Sequence, residues 1–178
     1  MAKVRTFSRR FPATHPRKGQ PTYFVEGFLN SIGVTKASEL LPGVHAIVND
    51  FAIIDKSLAK HHTIRAGKHF KAGDFFSPRV WSESPYYSPQ IKLAPDTLIC
   101  SVWDIYLDLV PPAPKGMANG GEFFDIIRIN GKEIANSENE AMVAKLAVND
   151  GLSVEDFRAW FKKPFSGQII CWNPDIKY

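Results

Sequence analysis

Proline and glycine break this chain too often for a helical bundle. Thirteen of one and twelve of the other are spread over 178 residues, which leaves room for short strands, tight turns and few helices. Apolar residues make up 44% of the sequence, enough for a real core. The length favours a single domain with an elaborated end.

The periodicities place the elements. Residues 3–9 alternate, Val4, Thr6 and Ser8 against Arg5, Phe7 and Arg9, and predict an edge strand. Residues 11–20 read as a loop. A helix opens at Pro21-Thr22 and runs to about Ile32, with Phe24, Phe28 and Ile32 on one face and Gly33 as its stop. Lys36–Leu41 adds a short helical turn before Pro42-Gly43, and Val44–Ile54 fits a helix or a strand. Lys60–Arg65 reads as a strand or the entry to one, and Lys71–Asp74 as a tight turn. Phe75–Ser82 is a strand whose Pro78 puts it at an edge or a bulge. Ser84–Pro89 is a loop. Gln90–Leu93 and Thr97–Leu109 are strands, and Pro111–Gly121 is a Pro/Gly-rich loop. Glu122–Ile129 is a strand turned back by Asn130-Gly131 onto Lys132–Ile134. Glu138–Val148 is a helix ended by Asp150-Gly151. Ser153 and Asp156 have the spacing that opens a second helix through Phe161, and Gln168–Trp172 is the last strand. The sum is α+β, with a curled mixed sheet or small β-barrel and flanking helices.

Charge is unevenly placed. The net charge is only +4, yet Lys3, Arg5, Arg9, Arg10, Arg17 and Lys18 all precede the first acid, Glu26. A second basic stretch holds Lys56, Lys60, Arg65, Lys68 and Lys71. Two such segments favour a polyanionic or phosphate-bearing ligand. Residues 1–43 therefore read as a basic N-terminal segment with one helix, packed on or extending a main domain at 44–178. Cys100 and Cys171 lie in apolar runs, as core thiols of a cytoplasmic protein do; a single disulfide stays open. No apolar run approaches the ~20 residues of a membrane span. No apolar stretch follows the basic start, so a signal peptide is not expected.

The stretch His61-His62-Thr63-Ile64-Arg65 carries the densest chemistry. In a strand, His61, Thr63 and Arg65 share a face and offer an imidazole, a hydroxyl and a guanidinium to one ligand. Arg65 is a candidate phosphate clamp or base-stacking group, or else an ion-pair partner of Asp74 or Asp150. His45, His61, His62 and His69 lack metal-ligand spacing, and neither a metal nor a cofactor is implied. Arg9, Arg10, Arg17 and Lys18 are candidate phosphate contacts. Of Trp81, Tyr86, Tyr87 and Trp103, Tyr86 and Tyr87 lie in a Pro/Ser loop and are the favoured stacking groups for a base.

Lys60-His61-His62-Thr63-Ile64-Arg65, then Gly73-Asp74, then Asp150-Gly151 resemble, in order and spacing, the ASCH domains of the PUA-like β-barrel superfamily. The resemblance spans roughly Val48–Trp172. It implies a cleft that accepts RNA or a nucleoside. Some small members of that family are amidohydrolases of acetylated cytidine that use a Lys, a Thr and a Glu. These fall on Lys60, Thr63 and Asp150, the last one carbon shorter than the family's acid. Lys60 and Thr63 have opposite parity, so they meet only if Lys60 lies before the strand or at a bulge. Asp150 faces the negative end of a helix, which suits a raised pKa and general acid/base work. The leading expectation is an RNA- or nucleotide-binding domain without a membrane partner. The alternatives are an amidohydrolase acting through Lys60, Thr63 and Asp150, and a protein-interaction module with a vestigial site.

Overall fold

The computed structural model describes residues 2–49, 51–54, 56–110 and 125–178. The expected loop at 111–121 and the start of the strand expected at Glu122 lie outside them. The fold is α+β, as the mixture of short strands and few helices predicts. In chain order come β1 (Lys3–Thr6), α1 (Phe24–Ser31), β2 (His62–Ala66), β3 (Phe75–Trp81), β4 (Gln90–Lys92) and β5 (Thr97–Leu98). There follow β6 (Ser101–Asp108), β7 (Ile126–Ile129), β8 (Lys132–Glu133), α2 (Asn139–Asn149), α3 (Val154–Trp160) and β9 (Phe165–Cys171).

The strands form two open sheets rather than the expected barrel. One runs β1-β3-β4, with β5 also pairing β3; the other runs β2-β9-β6-β7-β8. No closed barrel is found among the described residues. The apolar run Thr97–Leu109 shows why: it reads as one strand but is divided between the sheets. Ile99 N donates to Asp74 O at 2.9 Å beside β3, whereas Cys100 N donates to Cys171 O at 2.8 Å beside β9. The chain thus leaves one sheet at Ile99 and enters the other at the next residue.

Two further expectations are corrected. Pro78 sits in β3, which has partners on both sides, so it does not mark an edge; it marks an irregularity in the ladder, where the register shifts by two residues between Arg79↔Lys92 and Phe76↔Thr97. Its carbonyl accepts from Leu93 N at 2.9 Å, so its nitrogen faces the same side, where β4 gives way to β5 and no ladder donor is needed. Val44–Ile54 forms neither a strand nor an α-helix among its described residues. It makes two single 3₁₀ turns, Val44–Ala46 and Phe51–Ile53, and buries Val44, Ile47 and Ile54 without a regular period.

The first 43 residues join the core directly. β1 pairs parallel with β3, and Phe7, Phe11, Phe24 and Phe28 belong to the same buried cluster as Ile64, Phe76 and Trp172. Phe28 packs edge-on against Trp172 at 5.5 Å and tilted by 34° against Phe7 at 5.1 Å. The Asn130-Gly131 turn has φ of 51° and 78°, as a two-residue hairpin between β7 and β8 requires. Cys100 and Cys171 are free thiols. No helix among the described residues is long and apolar enough to cross a membrane.

Candidate functional site

The signature stretch divides at its first residues. Lys60 precedes β2, and its backbone is held away from strand geometry: Lys60 N donates to Gly27 O at 2.9 Å in α1, and His61 N donates to Asn149 O at 2.8 Å at the end of α2. Strand parity therefore does not govern where Lys60 points. Gly27 and Gly151 flank its stem so closely that a Cβ on Gly27 would lie 2.5 Å from Leu58 O, and one on Gly151 would lie 3.2 Å from Lys60 Cβ.

That packing delivers the Lys60 ammonium to the C-terminus of α2. Leu152 N donates to Ala147 O at 2.9 Å and Gly151 takes φ +75°, which turns the chain and leaves Asp150 facing Lys60. Lys60 Nζ donates to Asp150 O at 2.7 Å and also to the Asp150 carboxylate. Its other face lies over the Phe24 ring, 4.1 Å from the centroid. Burial lowers the Lys60 amine to about 8, against the pull of Asp150. Burial likewise raises the Asp150 carboxyl, against Lys60 and then Arg65. The upward direction is the one expected in the sequence, but burial, not the helix end, is its cause. Lys60, Thr63 and Asp150 are 1%, 4% and 6% exposed.

A basic cleft lies on the other side of Phe7, where the two sheets meet. Its volume is about 440 Å³, within the range of small-ligand pockets. The chain after β1 supplies Arg9 and Arg10, the loop after β3 supplies Tyr86, Trp81 ends β3, and Arg65 enters from β2. A smaller hollow of about 250 Å³ adjoins it through Thr6, Arg65, Trp81 and Tyr86, and adds Arg5. Phe7 lines the cleft and its ring centroid is 6.0 Å from Lys60 Nζ, so the buried pair lies behind an aromatic wall.

Each guanidinium in this tract is positioned by a main-chain carbonyl. Arg65 Nη2 donates to Thr6 O at 2.8 Å, Arg9 Nη1 to Ser82 O at 2.7 Å, Arg10 Nη1 to Gly19 O at 2.8 Å and Arg5 Nη1 to Val4 O at 3.3 Å. Among the described residues none of the four forms an ion pair with a carboxylate, although Glu83 also lines the cleft. Among the described residues the buried Nε atoms of Arg5, Arg9 and Arg65 have no hydrogen-bond partner. Burial, and then the nearby Arg65 cation, lowers the Arg5 guanidinium. Crowded like charges with unused donors favour an anion between them.

The cleft gathers Arg9, Arg10, Arg65 and Tyr86 from the residues singled out in the sequence. The others lie elsewhere. Arg17 pairs with Asp156 at 2.5 Å and lies over Phe11, and Lys18 is exposed on the adjacent turn. His61 faces Asn173, its Nδ1 3.1 Å from the amide nitrogen, and precedes β2 rather than sharing the strand face of Arg65. Tyr87 is 93% exposed and lines neither hollow. His62 is buried and its Nδ1 lies 2.9 Å from the Tyr178 hydroxyl. Arg5 and Trp81 complete the tract. Arg5 was visible only as one of a run of cations, and its alternation in β1 was its sole positional signal. Among the described residues no group of His, Cys, Asp and Glu is placed to hold a metal ion. Compared with protein-family models, curated proteins and solved structures, the chain matches none.

Proposed function

We propose that the protein binds RNA or a nucleotide in the arginine cleft, with Arg5, Arg9, Arg10 and Arg65 on phosphate and Trp81 with Tyr86 against a base. The observation that carries this reading is the set of four guanidiniums oriented by carbonyls and, among the described residues, in no ion pair with a carboxylate. A guanidinium held in that way keeps its charge and its remaining N–H groups for a ligand. The resemblance of Lys60–Arg65, Gly73-Asp74 and Asp150-Gly151 to the PUA-like ASCH domains supports the same ligand class, with the cytoplasm as the setting.

The test is equilibrium binding of a mixed-sequence single-stranded RNA to the purified chain at low salt. Arg10→Ala, at an exposed position, weakens binding by about tenfold, as expected when one charge-assisted hydrogen bond of about 1.5 kcal/mol is lost. Absence of binding, or unchanged affinity in Arg10→Ala and Arg9→Ala, would overturn the reading.

The second reading is an amidohydrolase. It is favoured by one observation, a buried lysine lowered to about 8 beside an acid. It ranks second because Lys60, Thr63 and Asp150 are buried and line neither hollow of the cleft. Release of acetate from acetylated cytidine, lost in Thr63→Ala, would promote it above the first; no turnover removes it.

A further inference from the structure

The loop joining β3 to β4 holds an aromatic residue where turn geometry calls for glycine. Tyr87 N donates to Ser84 O at 3.2 Å, closing a turn with Pro85 at its second position and Tyr86 at its third. Tyr86 has φ +68°. That position of such a turn is ordinarily Gly or Asn, because a side chain in the left-handed region crowds its own backbone. Burial does not compensate, since Tyr86 is 84% exposed. Among the described residues the ring's one aromatic neighbour is Trp81, at a centroid distance of 5.4 Å and an angle of 49°. The loop is otherwise well fixed, by Ser82 N donating to Pro89 O at 2.9 Å and Glu83 N donating to Ser88 Oγ at 3.0 Å. A strained, exposed and firmly anchored aromatic is the pattern of a residue kept for a ligand.

Its position defines that ligand. Tyr86, Trp81 and Arg65 line both hollows. On one side of them lie Arg9 and Arg10, and on the other lies Arg5. Resting on the reading that this cleft binds RNA or a nucleotide, we infer that it takes an internal nucleotide of a single strand: the base stacks on Tyr86 and Trp81, and the two flanking phosphates lie on opposite sides, one on Arg9 and Arg10 and the other on Arg5. Arg65, shared by both hollows, lies between the phosphates. A double helix is refused because its base faces are already covered by their neighbours.

Four probes test this at constant salt: adenosine 5′-monophosphate, adenosine 3′,5′-bisphosphate, a short single-stranded oligoadenylate, and the same strand in a duplex. The bisphosphate binds about tenfold or more tightly than the monophosphate, the value of one added charge-assisted contact. That advantage disappears in Arg5→Ala. The single strand binds more tightly than the duplex. Tyr86→Gly lowers affinity for the strand by about 5- to 100-fold, the range for loss of a stacked base. It does so without lowering the melting temperature, because glycine accepts positive φ. Tyr86→Phe retains binding. Equal affinity for the two mononucleotides, equal affinity for strand and duplex, or unchanged binding in Tyr86→Gly would each overturn the inference while leaving the RNA reading standing. If no probe binds, the RNA reading itself fails and this inference falls with it.

Discussion

Lys60 Nζ donates to both the main-chain carbonyl and the carboxylate of Asp150, and both side chains are buried. The ammonium thereby caps α2, where the last carbonyls lack partners and the dipole favours a cation. Removing either partner strands a buried charge. Lys60→Met and Asp150→Leu should each destabilise the fold by about 3–5 kcal/mol, whereas the double variant should cost much less than their sum. Denaturant unfolding of the four proteins measures the coupling; additive losses would mean the two groups do not depend on each other.

The same pair fixes the sign of a pH effect. Lys60 is lowered from 10.5 to about 8 in the folded protein. Between those values the unfolded chain binds more protons than the folded one, so the Lys60 contribution to stability rises as pH climbs from about 8 to about 10.5. Cys171 is raised to about 11 and works in the opposite direction over part of that window. The comparison must therefore be wild type minus Lys60→Met. That difference grows across the window; a flat or falling difference contradicts the burial of a charged amine.

Gly27 separates helix propensity from packing. It lies in α1, where Ala is ordinarily better than Gly by about 1 kcal/mol. A Cβ there would stand 2.5 Å from Leu58 O, the backbone of the segment leading to Lys60. Gly27→Ala should therefore destabilise, by about 1–3 kcal/mol as overpacked sites do. Thermal unfolding decides it, since propensity alone calls for a gain.

Local rules reached the elements and stopped at their partners. The Asn130-Gly131 hairpin, the Asp150-Gly151 stop and the Ser153 cap, whose Oγ accepts from Asp156 N at 3.1 Å, depend on residues within a turn of one another, whereas the expected α1 face does not hold: Phe24 to Leu29 are all buried and Ile32 is 36% exposed. The break at Ile99-Cys100 depends on Asp74 and Cys171, far away in the chain, and nothing in the apolar run marks it. Pro78 looked like an edge signal because its missing donor was visible and the gap between β4 and β5 was not.

The site followed the same pattern. That Lys60 would need to lie before the strand was readable from parity. That Gly27 and Asn149 hold it there was not. Arg65 stood out by residue type, yet its direct hydrogen-bond partner is the carbonyl of Thr6 rather than the carboxylate of Asp74 or Asp150. Arg17, equal to Arg9 and Arg10 in the sequence, is drawn away by Asp156 of α3. Tyr86 and Tyr87 are neighbours of the same type, and only the turn decides that Tyr86 faces Trp81.

Whether these arginines hold phosphate is read from the salt dependence of single-stranded RNA binding. With the two flanking phosphates neutralised, log K should fall against log salt with a slope of about −1.4 between roughly 50 and 300 mM, and Arg10→Ala, which weakens one of the two contacts, should make that slope shallower by up to about 0.7. A slope near zero, or the same slope in wild type and Arg10→Ala, would contradict the account.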